Sequence, residues 1–142
     1  MTLYECLLEK RIDTTDLNCA EKILYGANAA YGLALDKSAL RVSAGFGGGM
    51  GVEDACGIVT GGVMALSLLF VKNRGHEGPR IKALTGEWFA RMNEVFSSTN
   101  CAALKEKYRS PEKGCSDLIL AGAKLLDELV LRELQKDAAG EE

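Results

Sequence analysis

The residues best suited to chemistry in this chain are its five cysteines, Cys6, Cys19, Cys56, Cys101 and Cys115. As thiolates they attack disulfides and bind soft metals. Their spacing argues against standard zinc modules, and no two of them form a CxxC pair. Four share a local setting: Cys19 follows a cap at Thr15 or Asp16, Cys56 follows Asp54, Cys101 follows Thr99 and Asn100, and Cys115 follows Ser110-Pro111. Each therefore falls within the first turn of an expected helix. The partial positive charge and free N–H groups of a helix start favour thiolate over thiol and lower a cysteine's pKa. Cys6 lies inside the first expected helix with no cap before it. The competing reading is that cysteine is a small hydrophobe that packs in a core.

Glycine surrounds the second of these cysteines. The stretch GFGGGMG at 45–51 precedes Val52-Glu53-Asp54-Ala55-Cys56. Consecutive glycines can form a nest of N–H groups beside a helix start, open to an anion or to a cofactor, and Gly47, Gly48, Gly49 and Gly57 are the candidates for that role. The cluster is no nucleotide fingerprint, because Met50 takes the third glycine position of GxGxxG and no lysine follows as in a P-loop. The structural alternative is a turn that lets two helices pack closely. After Cys56, Gly57, Gly61 and Gly62 leave a smooth helix face beside the sulfur. Cys56 is accordingly expected to have the lowest pKa and the fastest reaction, with Cys19 as its resolving partner. The lone histidine, His76, sits in a polar loop and reads as a surface residue.

The elements that must position these groups are helical. Leu and Ala outnumber Val, Ile and Thr, only two prolines occur, and no stretch alternates strictly between apolar and polar. The fold class is all-α, a single-domain bundle of about six to seven helices. The expected helices cover residues 2–12, Thr15 or Asp16 to about Ala34, Asp36 or Ser38 through Val42, the apolar run between Asp54 and Lys72, Pro79–Phe96, Cys101–Tyr108, and Ser110-Pro111-Glu112 to about Leu134. The inward stripe of the last is Leu118, Leu125, Leu126, Leu129 and Leu134. A polar tail, Asp137 to Glu142, is expected to be disordered. Four cysteines at helix starts can meet only at one end of such a bundle, and a hairpin turning at Ser110-Pro111 would let Cys101 pair with Cys115.

With 142 residues, 47% hydrophobic and 26% charged, the chain has the makeup of one globular domain. Seventeen Lys and Arg against twenty Asp and Glu give a net charge of −3. No basic block is present, so nucleic acid is not an expected partner. The uncharged run between Asp54 and Lys72 is glycine-rich and shorter than the roughly 20 apolar residues of a spanning helix, so it reads as a buried central helix with no transmembrane segment. The start, MTLYECLLEKRID, lacks the apolar stretch of a secretory signal. A cytoplasmic location follows, where cysteines stay reduced, bind metal or cycle.

Asn18-Cys19-Ala20-Glu21, the AGFGGGMG stretch at 44–51 and Cys56-Gly57-x-x-Thr60-Gly61 resemble the C_GCAxxG_C_C family of redox-active proteins. The likeness extends over nearly the whole chain. The family's four cysteines correspond in order to Cys19, Cys56, Cys101 and Cys115, and Cys6 is additional. The family pattern has Cys-Gly-Ala-x-x-Gly at the second cysteine, and here Ile58 stands where alanine is expected. The resemblance implies a redox role, often alongside transporter genes, with no settled reaction. Three functions follow: a thiol redox protein using Cys56, Cys19, Cys101 and Cys115; a module in which these four bind zinc or an iron–sulfur cluster; or a helical interaction protein serving a transporter. A redox partner, a transporter-associated protein and a second copy forming a homodimer are the partners left open.

Overall fold

Capping residues set where the helices begin. In the computed structural model, which describes residues 1–140, Thr2 and Glu5 form a capping box that opens α1 (Leu3–Leu8). Asn18 and Glu21 do the same for α2 (Cys19–Tyr31). Asp36 caps α3 (Lys37–Leu40), which runs into a 3₁₀ segment over Arg41–Phe46. After the glycine loop comes α4 (Gly57–Phe70), then a 3₁₀ turn at Gly75–Glu77 and α5 (Arg80–Phe96). Asn100 caps α6 (Cys101–Tyr108), and the chain closes with α7 (Ser116–Ala138). No strand occurs among the described residues, and the fold is all-α.

The apolar fourth helix is the centre of the bundle. Ile58, Val59, Ala65 and Leu66 are wholly buried, and α2, α5 and α7 all pack on α4. Small residues let the backbones close up. A Cβ on Gly61 would lie 3.0 Å from the Ala20 carbonyl oxygen and 2.9 Å from the Ile23 Cβ. Across the other face, Trp88 fills the space beside Gly62 and donates its indole N–H to the Val59 carbonyl at 2.9 Å. A buried indole is well placed only when its N–H finds such a partner. Leu84, Trp88, Met92 and Phe96 form the buried stripe of α5, while Val95 is exposed to solvent.

Charge ties the ends of the chain together. Asp127 of α7 is buried and accepts the backbone N–H groups of Leu3 and Tyr4, each at 2.8 Å, and the Tyr31 hydroxyl at 2.7 Å. The carboxylate thus satisfies donors at the start of α1 that have no partner within the helix. Nearer the C-terminal end of α7, Glu133 binds Arg80, Arg132 and Lys136, and Arg132 also grips Glu87.

Several boundaries differ from the sequence expectation. The first helix stops at Leu8 instead of residue 12, because Lys10 adopts a left-handed conformation, φ 54°. Helix α2 begins at Cys19, since the chain is left-handed at Asp16 and Asn18 supplies the cap. Helix α7 begins at Ser116 and not at Pro111, because Ser110 and Gly114 exchange both backbone hydrogen bonds, at 3.0 and 2.8 Å, and close a tight turn. Within it Leu134 is exposed, and Val130 and Glu133 are buried instead. The expected tail is helical through Ala138, with Asp137 paired to Arg80 at 2.9 Å; residues 141–142 lie outside the described residues.

Two measurements check these anchors. Asp127→Ala removes an acceptor of three hydrogen bonds, and bonds to charged groups are worth roughly 1.5–3 kcal/mol each. Urea unfolding should show a loss of about 3 kcal/mol or more, with Tyr31→Phe losing about 1–2 kcal/mol. Glu77 accepts backbone N–H groups from Lys72, Asn73 and Arg74, which hold its carboxyl down at about 2 against an ordinary 4.5. Its stabilising effect is present above the ordinary value and is lost as pH falls through the lowered one. Acid titration of stability should therefore be flatter between these pH values in Glu77→Gln than in the parent.

Candidate functional site

Each of the four cysteines beyond Cys6 sits at a helix start. Cys19 and Cys101 are the first residues of α2 and α6, and Cys56 and Cys115 are the capping residues of α4 and α7. Backbone contacts bring these starts together. A Cβ on Gly57 would lie 2.8 Å from the Ala20 nitrogen and 3.0 Å from the Cys19 Cβ, so only glycine lets the α4 start meet the α2 start. Ala55 and Asn100 face each other in an antiparallel bridge, with the Cys56 N–H donating to Thr99 and the Cys101 N–H to Asp54. The Ser110–Gly114 turn then delivers Cys115.

All four cysteines line one cavity of about 260 Å³. Its floor is apolar and buried, formed by Ile58, Leu104, Leu118 and Ile119. Cys6 is remote from it, sealed in the core between α1 and its neighbours and fully buried. Ile58, the residue standing where alanine was expected, fits because α7 presents Gly122 to it. A Cβ on Gly122 would come within 2.6 Å of the Ile58 Cγ2.

The four candidate glycines divide. Gly48 lines the cavity. Gly47 packs on the Asn18 side chain, and Gly57 packs on α2. Gly49 has φ 60° and no room for a Cβ against Asp54 and the Cys101 Cβ. The chain from Gly48 to Gly51, Met50 included, is left-handed throughout, a conformation that costs side-chain-bearing residues about 1 kcal/mol or more. The loop therefore wedges the caps of α2 and α6 against α4.

Burial outweighs the helix start at Cys19, Cys56 and Cys101. Desolvation pushes Cys19 up to about 12, with the nearby Cys115 and Cys56 adding to the rise and Lys22 opposing it. Cys56 is also raised, first by burial. The N–H groups of Ile58 and Val59 at the helix start pull it down but do not prevail. Cys101 is raised by burial, with Glu53 and Cys115 adding to the rise and Lys105 and Arg109 opposing it, and burial raises Cys6. The expected depression at Cys56 is thus overturned. A charge in a low-dielectric site loses more solvation than a helix terminus returns. Nor does Asp54 cap α4: it ends the preceding turn and uses its backbone carbonyl to hold Cys101.

The donor set is sulfur, which structural zinc sites and iron–sulfur clusters use. Among the described residues, however, no three or more Cys, His, Asp or Glu side chains are grouped closely enough to hold an ion. All five cysteines are free thiols. His76 lies exposed in the 3₁₀ turn far along the chain from the cysteine starts. What the sequence reading missed is the basic lining: Lys22, Lys105, Arg109 and Lys113 border the cavity. Helical spacing carried a signal for two of them. Lys22 lies three residues after Cys19 and Lys105 four after Cys101, both on the cysteine's own helix face.

Access and burial set the expected order of alkylation in the folded, reduced protein. Cys115 is half-buried and should react first, whereas Cys56 at 4% exposure and Cys6 at 0% should lag. The rate at Cys19 should still climb above pH 9, because its thiol is pushed up to about 12. Mass spectrometry of modified peptides across pH reads both, and a Cys56 that reacts ahead of Cys115 would contradict the burial argument.

No curated protein and no solved structure matches the chain. Among the described residues no helix is long and apolar enough to cross a membrane. Residues 17–129 match the model of the family described as "Putative redox-active protein (C_GCAxxG_C_C)". That span includes all four cavity cysteines, both glycine stretches and the helices that join them, and the chain belongs to the C_GCAxxG_C_C family.

Proposed function

We propose that the protein is a thiol–disulfide redox protein in which Cys56 and Cys19 form the exchanging pair and Cys101 and Cys115 act beside them. The observation that carries this reading is the convergence of four helix-start cysteines on one small cavity. A fold that needed cysteine only as a small hydrophobe would have no reason to collect four at one place while Cys6 packs alone. At Gly57, the residue after Cys56, the α4 start lies so close to α2 that an added Cβ would be 3.0 Å from the Cys19 Cβ. Family membership supports the same class of chemistry.

A lowered thiol pKa stabilises the reduced form and makes the corresponding disulfide an oxidant. Burial raises Cys19 and Cys56, so the pair lacks that feature of strongly oxidising disulfides. Exchange should quicken as pH rises, since only the thiolate attacks.

Anaerobic titration of the reduced protein with an oxidant tests the reading. Two thiols per chain should disappear without dimer formation, and peptide mapping should join Cys19 to Cys56 while Cys6 stays free. The closed loop should add about 3–4 kcal/mol in the chain-entropy view and raise the Tm. Cys19→Ser and Cys56→Ser should each abolish the shift. Oxidation that runs only between chains, or a bound metal near one equivalent in the anaerobically purified protein, would overturn the proposal.

A further inference from the structure

The cavity's lining has a charge that the thiol chemistry alone does not explain. Lys22, Lys105, Arg109 and Lys113 all border it, and no Asp or Glu does. This is a local excess on a chain whose net charge is −3. Two of the cations have surface partners outside the lining: Lys105 with Glu53 at 3.5 Å, and Lys113 with Asp117 at 3.8 Å. Such long, solvent-screened pairs hold their partners weakly. Lys22 and Arg109 have no ion pair among the described residues, and both weigh electrostatically on cavity sulfurs, Lys22 on Cys19 and, with Lys105 and against Glu53, Arg109 on Cys101. The mouth is therefore positive and the floor apolar.

Resting on the thiol-redox reading, we propose that the cavity takes small, carboxylate-bearing disulfides as its oxidised partners. A volume of about 260 Å³ lies just below the usual range of ligand sites, which suits a compact molecule. An apolar disulfide centre would sit over Ile58, Leu118 and Ile119, and terminal carboxylates would reach Lys22 and Arg109, the latter able to hold a carboxylate by two parallel hydrogen bonds.

The step balances within these components. A protein thiol gives its proton to water, and the thiolate attacks one ligand sulfur. The ligand S–S bond breaks as a protein–ligand S–S bond forms, and the departing thiolate takes up a proton. The second protein thiolate then attacks the protein sulfur of that mixed disulfide, closing the internal disulfide and releasing the second ligand thiol. Two electrons pass from the protein dithiol to the ligand, and the two protons lost by the protein are matched by the two gained by the released thiols.

Three disulfides that share an ethyl scaffold separate charge from reactivity: 3,3′-dithiodipropionate is a dianion, 2-hydroxyethyl disulfide is neutral and cystamine is a dication. At low salt the dianion should oxidise the reduced protein about tenfold faster than the neutral compound and faster still than the dication, with the gap closing in high salt. Lys22→Gln and Arg109→Gln should each remove most of that preference, and the exposed Lys82→Gln should leave it intact. Equal rates for the three compounds, or a preference that survives both cavity variants, would overturn the anion assignment. The thioether 3,3′-thiodipropionate, which cannot exchange, supplies a readout free of redox chemistry. It should protect Cys19 and Cys56 from alkylation in the parent and fail to do so in Arg109→Gln. Failure to protect in the parent defeats the anion assignment by itself. Protection without exchange from any of the three disulfides would leave the anion site standing and defeat the redox reading instead.

Discussion

The contact between the starts of α2 and α4 is the constraint on which the rest of the site depends. At Gly57 and Gly61 the backbone of α4 lies directly against Ala20 and the neighbouring residues of α2, with no space for a methyl group. Packed interiors transmit such constraints because they have little free volume to absorb a displacement. Once these two starts are in contact, Cys19 and Cys56 are neighbours by construction. The other two cysteines are then added by backbone hydrogen bonding: the Asp54–Cys56 segment pairs with Thr99–Cys101, and the Ser110–Gly114 turn leads into Cys115. The glycine loop serves this arrangement mainly as a wedge, with Gly47 on Asn18 and Gly49 on Asp54 and Cys101.

Two opposing electrostatic effects meet in the cavity. A helix start favours a thiolate, and four starts converge here. Yet the same convergence buries the sulfurs, and desolvation disfavours any charge. The magnitudes decide the outcome. A helix terminus contributes typically 0.3–1 kcal/mol, up to about 2 kcal/mol in partly buried settings, whereas burial shifts a pKa by up to about 3–5 units. Burial prevails at Cys19, Cys56 and Cys101. The result at these three is a set of buried thiols held toward the protonated form and bordered by cations, a different object from a low-pKa nucleophile. Lys22, Lys105 and Arg109 moderate the effect and leave the mouth of the cavity positive.

Stability and function occupy different parts of the molecule. Asp127 ties α1 and α2 to the middle of α7, and the Arg80–Glu133–Arg132–Glu87 network fastens α5 to the far end of that helix. Neither network contributes a side chain to the cysteine cavity. Ile58 joins the two parts, because it belongs to the core and to the cavity floor at once, and its bulk is accommodated by the glycine at position 122.

The sequence by itself determined the seven α-helices and that Cys19, Cys56, Cys101 and Cys115 fall near helix starts, though not the exact starts of α2 and α7. Caps, glycines and apolar spacing act within a few residues, so Asn100 before Cys101 or the apolar run after Cys56 could be read without knowing what lay across the fold. Family membership was legible for a similar reason, since Asn18-Cys19-Ala20-Glu21 and Cys56-Gly57-x-x-Thr60-Gly61 are local patterns. The late start of α7 was harder to read: Ser110-Pro111 is a sound helix opening, and the reciprocal bonds to Gly114 that replace it depend on a left-handed residue three positions further on. Only the tertiary structure decided the protonation of the thiols and the charge around them. Desolvation depends on every atom packed about a sulfur, and the cations come from α2, α6 and the turn before α7. Neither quantity exists until those elements meet.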